Sequence, residues 1–190
     1  AKESKIWHSA GKDWSATICQ TATIADLSPL AISTARQLYI SKNPHLANEV
    51  TAWNDETFLN KARLCIGGKI TYTALLLLGL PESEHFISPA IARITWILRA
   101  TNNIEKDYTH FGMPLLLATE QVFAKIRNLT YRYIRDGGLF PEEIDQYDPY
   151  VIRESLNNCI AHQDYTLRGK IIVVENEDAT LTFVNSGEFI

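Results

Sequence analysis

Glu154, Asn158 and His162 stand four residues apart in the stretch YDPYVIRESLNNCIAHQDY, from Tyr147 to Tyr165. On a helix this spacing puts all three on one face, because four residues advance the chain by about 400°. Ile152, Leu156 and Ile160 are offset from them by two residues, about 200° round the axis, and face the opposite way. One face is therefore suited to packing and the other to polar contact. A carboxylate and a carboxamide one turn apart suit a phosphate site. The amide oxygen can ligate a hard Mg²⁺, and the carboxylate can orient or deprotonate a water. The spacing alone is equally that of an ordinary amphipathic helix with a solvated polar face, and His162 by itself reads as a hydrogen-bonded structural residue.

Other segments must position this helix. Asp148-Pro149 is its start signal, and it is expected to run to about His162. Two strands follow, Lys170 to Glu175 and Thr180 to Val184, separated by the acidic turn Asn176 to Asp178 in the manner of a hairpin. Upstream, Ser28-Pro29 caps a helix that stops near Asn43-Pro44, Asn54 or Asp55 caps a short helix from Glu56 to Leu64, and Gly67-Gly68 breaks the pattern. Lys69 to Gly79 is open to a buried strand or a buried helix by period alone, with a helix from Thr71 preferred, and Ala90 to Leu98 reads as a strand. Leu115, Ala118, Val122, Ile126, Leu129 and Tyr133 recur at three- and four-residue steps and predict one long helix from Pro114 to Ile134. Gly137-Gly138 and Pro141 then mark a loop. The predicted organisation is an extended lead-in segment (1–27), a mainly helical middle domain (28–136) and an α+β unit (141–190).

Composition narrows the function classes. The 190 residues are 46% hydrophobic and 21% charged, with 18 Lys and Arg against 22 Asp and Glu and a net charge of −4. That balance is globular and carries no whole-protein basic field of the kind a general nucleic-acid coat requires. Cys19, Cys65 and Cys159 are odd in number, far apart and without C-x-x-C spacing, which fits a reducing cytoplasm better than a disulfide framework or a structural zinc. The longest apolar run, Ala74 to Leu78, is far short of the roughly 20 residues that span a bilayer. The polar start AKESKIWHSAGKDW is not a signal peptide, so a soluble, cytoplasmic chain without a membrane partner is expected. The missing initiating Met and an ending in a strand and turn read as those of a piece of a longer protein.

Lys125, Arg127, Arg132 and Arg135 cluster at the predicted end of the long helix with Tyr131 and Tyr133 interleaved, a pattern open to phosphate-backbone contact. The plain alternative is that cations near a helix C-terminus complement its dipole. Trp7, Trp14 and Trp53 read as packing anchors, and Gly67-Gly68 lacks the Lys and Ser or Thr of a P-loop. No G-x-S-x-G or H-E-x-x-H string is present.

E-x-x-x-N on a helix resembles the N box of the Bergerat-fold (GHKL) ATPases, a group that includes gyrase and histidine kinases. The fuller string R-E-S-L-N-N-C-I-A-H-Q-D-Y resembles the version in RecG-like transcriptional regulators, which commonly carry a Schlafen-type divergent AAA domain upstream. Further segments are similar to that family's middle region: DLSPLAISTARQLYISKNP from Asp26, ARITWIL, the DYTHF string from Asp107 to Phe111, and KIRNLTYRYI to LFPEEIDQYDPY. The resemblance implies an α+β fold in which a helical middle domain leads into the first helix and strands of a Bergerat-like domain. It implies ATP and Mg²⁺ as ligands, with Glu154 as general base or water-orienting group and Asn158 as the Mg²⁺ ligand. His162, Asp164 and Tyr165 would shape the floor of the site.

In that ATPase group the strand after the N box ends in D-x-G, whose Asp holds the adenine amino group. Asn185-Ser186-Gly187 stands there instead, and Asn can still accept through its amide oxygen. The chain ends at Ile190, before a glycine-rich lid. The expected function is ATP-sensing transcriptional regulation, with DNA contacts made mainly by domains outside this chain. A nucleotide-free scaffold that dimerises, giving a homodimer, is the first alternative, and an ATPase coupled to DNA remodelling is the second. The apolar stripe also yields a stability expectation. Leu156→Ala should cost about 2 to 5 kcal/mol in denaturant unfolding, whereas a negligible loss would mean the helix is turned the other way.

Overall fold

The computed structural model describes residues 13–134, 136 and 140–187. Trp7, Arg135 and the Gly137-Gly138 loop lie outside the described residues. The fold is α+β.

The N-terminal half is helical. In α1 (Pro29–Lys42), Pro29 presets the first helical φ and the Ser28 hydroxyl accepts from the Ala31 N–H at 3.3 Å. Helix α2 spans Ala47–Ala52, and α3 (Asp55–Lys61) is capped by Asn54, whose Oδ1 accepts from the Thr57 N–H at 2.8 Å. Strands β1 (Cys65–Ile66) and β2 (Lys69–Ile70) turn on Gly67 and Gly68 at φ of +58° and +78°, a region costly for any residue with a Cβ. Thr71 then caps α4 (Tyr72–Leu78), a helix buried at Ala74, Leu75, Leu76 and Leu78. Arg36 joins α1 to α2 and α3: its guanidinium donates to the Val50 and Trp53 carbonyls at 2.8 and 2.9 Å and pairs with Asp55 at 2.6 Å.

From residue 14 on, the lead-in segment is part of this core. Trp14 stacks on Tyr72 at 4.4 Å, Ile18 bridges Thr71, and Cys19, Ala22 and Leu27 are buried. Leu30 and Leu38, which the helical spacing places with the apolar positions of α1, are 65% and 49% exposed, and only Ala31 and Ile32 are buried there. All three cysteines are buried free thiols.

A four-stranded sheet in the order β4-β3-β7-β8 forms the other half, from β3 (Ile94–Arg99), β4 (Glu105–Phe111), β7 (Ile171–Asn176) and β8 (Thr180–Val184). Its outer pairs are antiparallel, and its central pair, β3 with β7, is parallel in the register Ile94↔Ile171 to Arg99↔Asn176. Helix α5 (Leu115–Lys125) packs against β3 and β4, and α6 (Pro149–Ala161) against α5 and β8.

The sheet overturns the predicted division at 136–141. Strands from both predicted units pair with each other, because the apolar residues of β3 and β7 are buried only when the two lie side by side. The long helix is also shorter than predicted. It stops at Lys125, and Ile126 is extended. Thr130–Ile134 forms strand β5, paired with β6 (Pro141–Asp145) in the register Thr130↔Asp145 to Ile134↔Pro141. The helical spacing across this stretch is coincidental. Thr, Tyr and Ile favour a pleated backbone, and cross-strand contacts complete it: Arg132 Nε to Glu143 at 2.6 Å, Tyr133 hydroxyl to Glu142 at 3.0 Å and Thr130 hydroxyl to Asp145 at 2.8 Å.

One buried carboxylate ties these parts together. Glu175 on β7 is 2% exposed. It accepts from the indole N–H of Trp96 on β3 at 3.0 Å, and from Arg127 beyond α5 through the guanidinium at 2.6 Å and the backbone N–H at 3.3 Å. Glu175→Ala is expected to lower stability by about 2 kcal/mol in chemical denaturation, because it strands the buried indole N–H; an unchanged midpoint would remove Glu175 from this role.

Candidate functional site

Helix α6 starts where Asp148 Oδ1 accepts from the Tyr150 N–H at 2.7 Å and Pro149 fixes the first turn. Ile152, Leu156 and Cys159 are buried and Ile160 is half-buried, while Glu154, Asn158 and His162 are exposed. The two faces are those set by the spacing. Arg153 fixes the helix against α5 with a two-pronged bond to Glu120, at 3.0 and 3.1 Å, and lies 3.8 Å above the ring of Phe123. Burial pushes the Cys159 thiol above its ordinary range, which leaves it a packing group and a poor nucleophile at neutral pH.

The helix ends at a tight junction with the end of β8. His162 donates its N–H to the Asn158 carbonyl at 2.9 Å, and its own carbonyl accepts from Asn185 Nδ2 at 3.0 Å. A carbonyl can only accept, so this contact identifies the amino end of the Asn185 amide and leaves Oδ1 as its acceptor end. Asp164 donates its backbone N–H to the Ser186 carbonyl at 2.6 Å. A Cβ on Gly187 would overlap the His162 carbonyl oxygen, so only glycine allows this approach. The Asp164 side chain accepts from the Thr166 N–H at 2.9 Å and caps the short turn Tyr165–Leu167. Tyr165 is buried, its hydroxyl donates to the Ile160 carbonyl at 3.1 Å, and burial, followed by the charge of Cys159, raises its pKa well above the ordinary value.

Between α6 and β8 runs an open cleft of about 500 Å³, with Tyr147, Val151, Ile152 and Ser155 on the helix side and Leu181 and Phe183 on the strand side. Val151 and Ser155, which line the cleft, share a helix face with Asn158 and His162, which continue it one and two turns further along. Leu181, Phe183 and Asn185 likewise alternate along the other wall. The fold thus brings together His162, Asp164, Asn185 and Gly187 where α6 ends, beyond the residues that line the cleft, and sets Asn158 and Glu154 one and two turns back along the helix.

Among the described residues no group of three or more His, Cys, Asp and Glu could hold a metal ion. An exposed Asn158 nonetheless fits Mg²⁺, which is commonly bound by one or two protein oxygens together with a nucleotide's phosphates. The cationic cluster is dispersed among carboxylates. Lys125 pairs with Asp107 at 3.0 Å, Arg127 with Glu175 at 2.6 Å and Arg132 with Glu143 at 2.6 Å. Their charges are neutralised locally, which weakens them as phosphate contacts, and Arg135 lies outside the described residues.

Gln163 escaped the sequence reading. It extends the buried row Ile152, Leu156 and Cys159 by four residues, so helical spacing places it inside, and its own polarity obscured this.

Residues 6–94 match a family described as a domain of unknown function, DUF8451, a stretch that ends at the start of β3. No curated protein matches the sequence. Among solved structures, the DIP2311 protein from Corynebacterium diphtheriae has the same fold over 95% of this chain, with a TM-score of 0.70 and 20% identity. The chain spans 34% of that protein's length, and at this identity the likeness is one of fold.

Proposed function

We propose that the chain supplies the helix and strand walls of a nucleotide site in a cytoplasmic, ATP-sensing transcriptional regulator related to the RecG-like proteins. The observation that carries the reading is the junction of α6 with β8, which seats Asn185, with its amide oxygen as acceptor end, at the end of the helix that bears Glu154 and Asn158. The apolar strand wall, Leu181 and Phe183, suits the faces of a purine, and the Asn185 oxygen suits an exocyclic amino group. Asn158 would hold Mg²⁺ through Oδ1, and the cation supplies charge neutralisation to the phosphates when bound. Glu154, exposed one turn before Asn158, can orient a water or take its proton. DNA contact is assigned to domains outside this chain, since Lys125, Arg127 and Arg132 are paired with carboxylates.

A nucleotide-free scaffold has one observation in its favour. Every residue of strands β5 and β6 is exposed, Tyr131, Tyr133, Ile134 and Ile144 among them, and an isolated two-stranded ribbon is marginal without a covering surface. Calorimetric titration of Mg²⁺-ATP into the protein and its Asn158→Ala variant separates the two. The nucleotide reading expects binding that weakens at least about tenfold in the variant, with an unchanged melting curve. Equal affinity in both would remove Asn158 from the site, and no heat in either would favour the scaffold. DNA-stimulated hydrolysis would move the assignment to a remodelling ATPase.

A further inference from the structure

Gln163 is a buried amide engaged at both its nitrogen and its oxygen. It is 6% exposed, its Nε2 donates to the Gly169 carbonyl at 3.0 Å, and its Oε1 accepts from the Ser186 N–H at 2.8 Å. The same side chain therefore grips the turn after α6 and the residue that follows Asn185. Gly169 closes the arrangement: a Cβ there would overlap the Ser186 side chain. Three short segments, His162–Asp164, Gly169 and Asn185–Gly187, thus meet around one carboxamide. Among the described residues the Asn185 side chain is held by one hydrogen bond, from Nδ2 to the His162 carbonyl, and one hydrogen bond leaves a side chain free to pivot. Its backbone has to be fixed from elsewhere.

We propose that Gln163 is the positioning residue of the base-recognition end of the cleft: through the Ser186 N–H it sets the register of Asn185 against the end of α6, and so determines whether the Asn185 oxygen meets an amino group on the bound base. This rests on the nucleotide reading above. Gln163 does not touch the ligand in this assignment. It acts through Asn185, and the affected property is discrimination between bases. Adenine presents an amino donor at the position where guanine presents a carbonyl acceptor, and an acceptor held in place favours the first and opposes the second. An Asn185 whose backbone is no longer fixed can turn its amino end outward, and the preference is lost.

The test compares the affinities of Mg²⁺-ATP, Mg²⁺-GTP and Mg²⁺-tripolyphosphate for the native protein and for Gln163→Met, which keeps the volume without the hydrogen bonds. The expected result is an ATP-to-GTP preference that falls about tenfold in Gln163→Met, with tripolyphosphate affinity within about twofold of native. A merely structural loss would lower all three together, and that outcome, or an unchanged preference, overturns the proposal. Adding Gln163→Met to Asn185→Ala should change the preference no further, because both act through one contact; additive losses would overturn the assignment. Absence of ATP binding by the native protein would instead overturn the nucleotide reading, and this proposal with it. That result is distinct from ATP binding whose base preference ignores Gln163.

Discussion

A carboxylate removed from water has to be met by donors, and the position of Glu175 in the sheet therefore constrains everything around it. Its two oxygens are supplied from three directions: the indole of Trp96 on the neighbouring strand, the guanidinium of Arg127, and the Arg127 backbone where the chain leaves α5. The exit of that helix is thereby fixed relative to the two central strands. Lys125, just before the exit, lies 4.7 Å above the Trp96 ring and pairs with Asp107 on β4, so the same patch also locates the outer strand. That pairing holds the Asp107 carboxyl below its ordinary range.

The parallel alignment of β3 with β7 is the larger consequence. Parallel neighbours need a crossover, and here it contains β4, α5, the β5–β6 hairpin and α6. Helix α6 is consequently held on two sides, by α5 through Arg153 and Glu120 and by β8 through the junction at His162. A helix so held can present an exposed polar row at a fixed height above the strand wall. The cleft is the space left between two rigid elements, with no long loop at its sides.

Local signals were legible in the sequence, and long-range pairing was not. Ser28 and Asp148 start their helices where the sequence announced it, Asn54 rather than Asp55 caps α3, and the faces of α6 follow from spacing alone, because caps and periodicity are decided within a few residues. The strand from Thr130 to Ile134 carried apolar residues that fit a helical period as well as a pleat, and its partner on β6 decided between them. Strand β4 gave no alternation to read, since it is an edge strand exposed along much of its length. The domain division failed for the same reason: nothing local in ARITWIL or in Ile171 to Asn176 states that the two lie side by side. In the candidate site, Glu154, Asn158, His162 and Asn185 came from motif likeness, whereas Gln163 emerged only when the chain was folded.

The base of the β5–β6 hairpin is closed by a reciprocal pair, in which Asn128 donates to the Tyr147 carbonyl at 2.8 Å and accepts from the Tyr147 N–H at 2.9 Å. Beside it the Gln146 N–H reaches the Leu129 carbonyl at 2.7 Å. Such a neck isolates the ribbon from the sheet: the ends enter and leave at a fixed separation whatever lies between them. Closing a longer excursion costs little extra, because the entropy of a loop grows only slowly with its length. The ribbon is therefore free to lengthen, shorten or change its surface over evolutionary time while α5 and α6 keep their seats, and related chains can differ most there without disturbing the cleft.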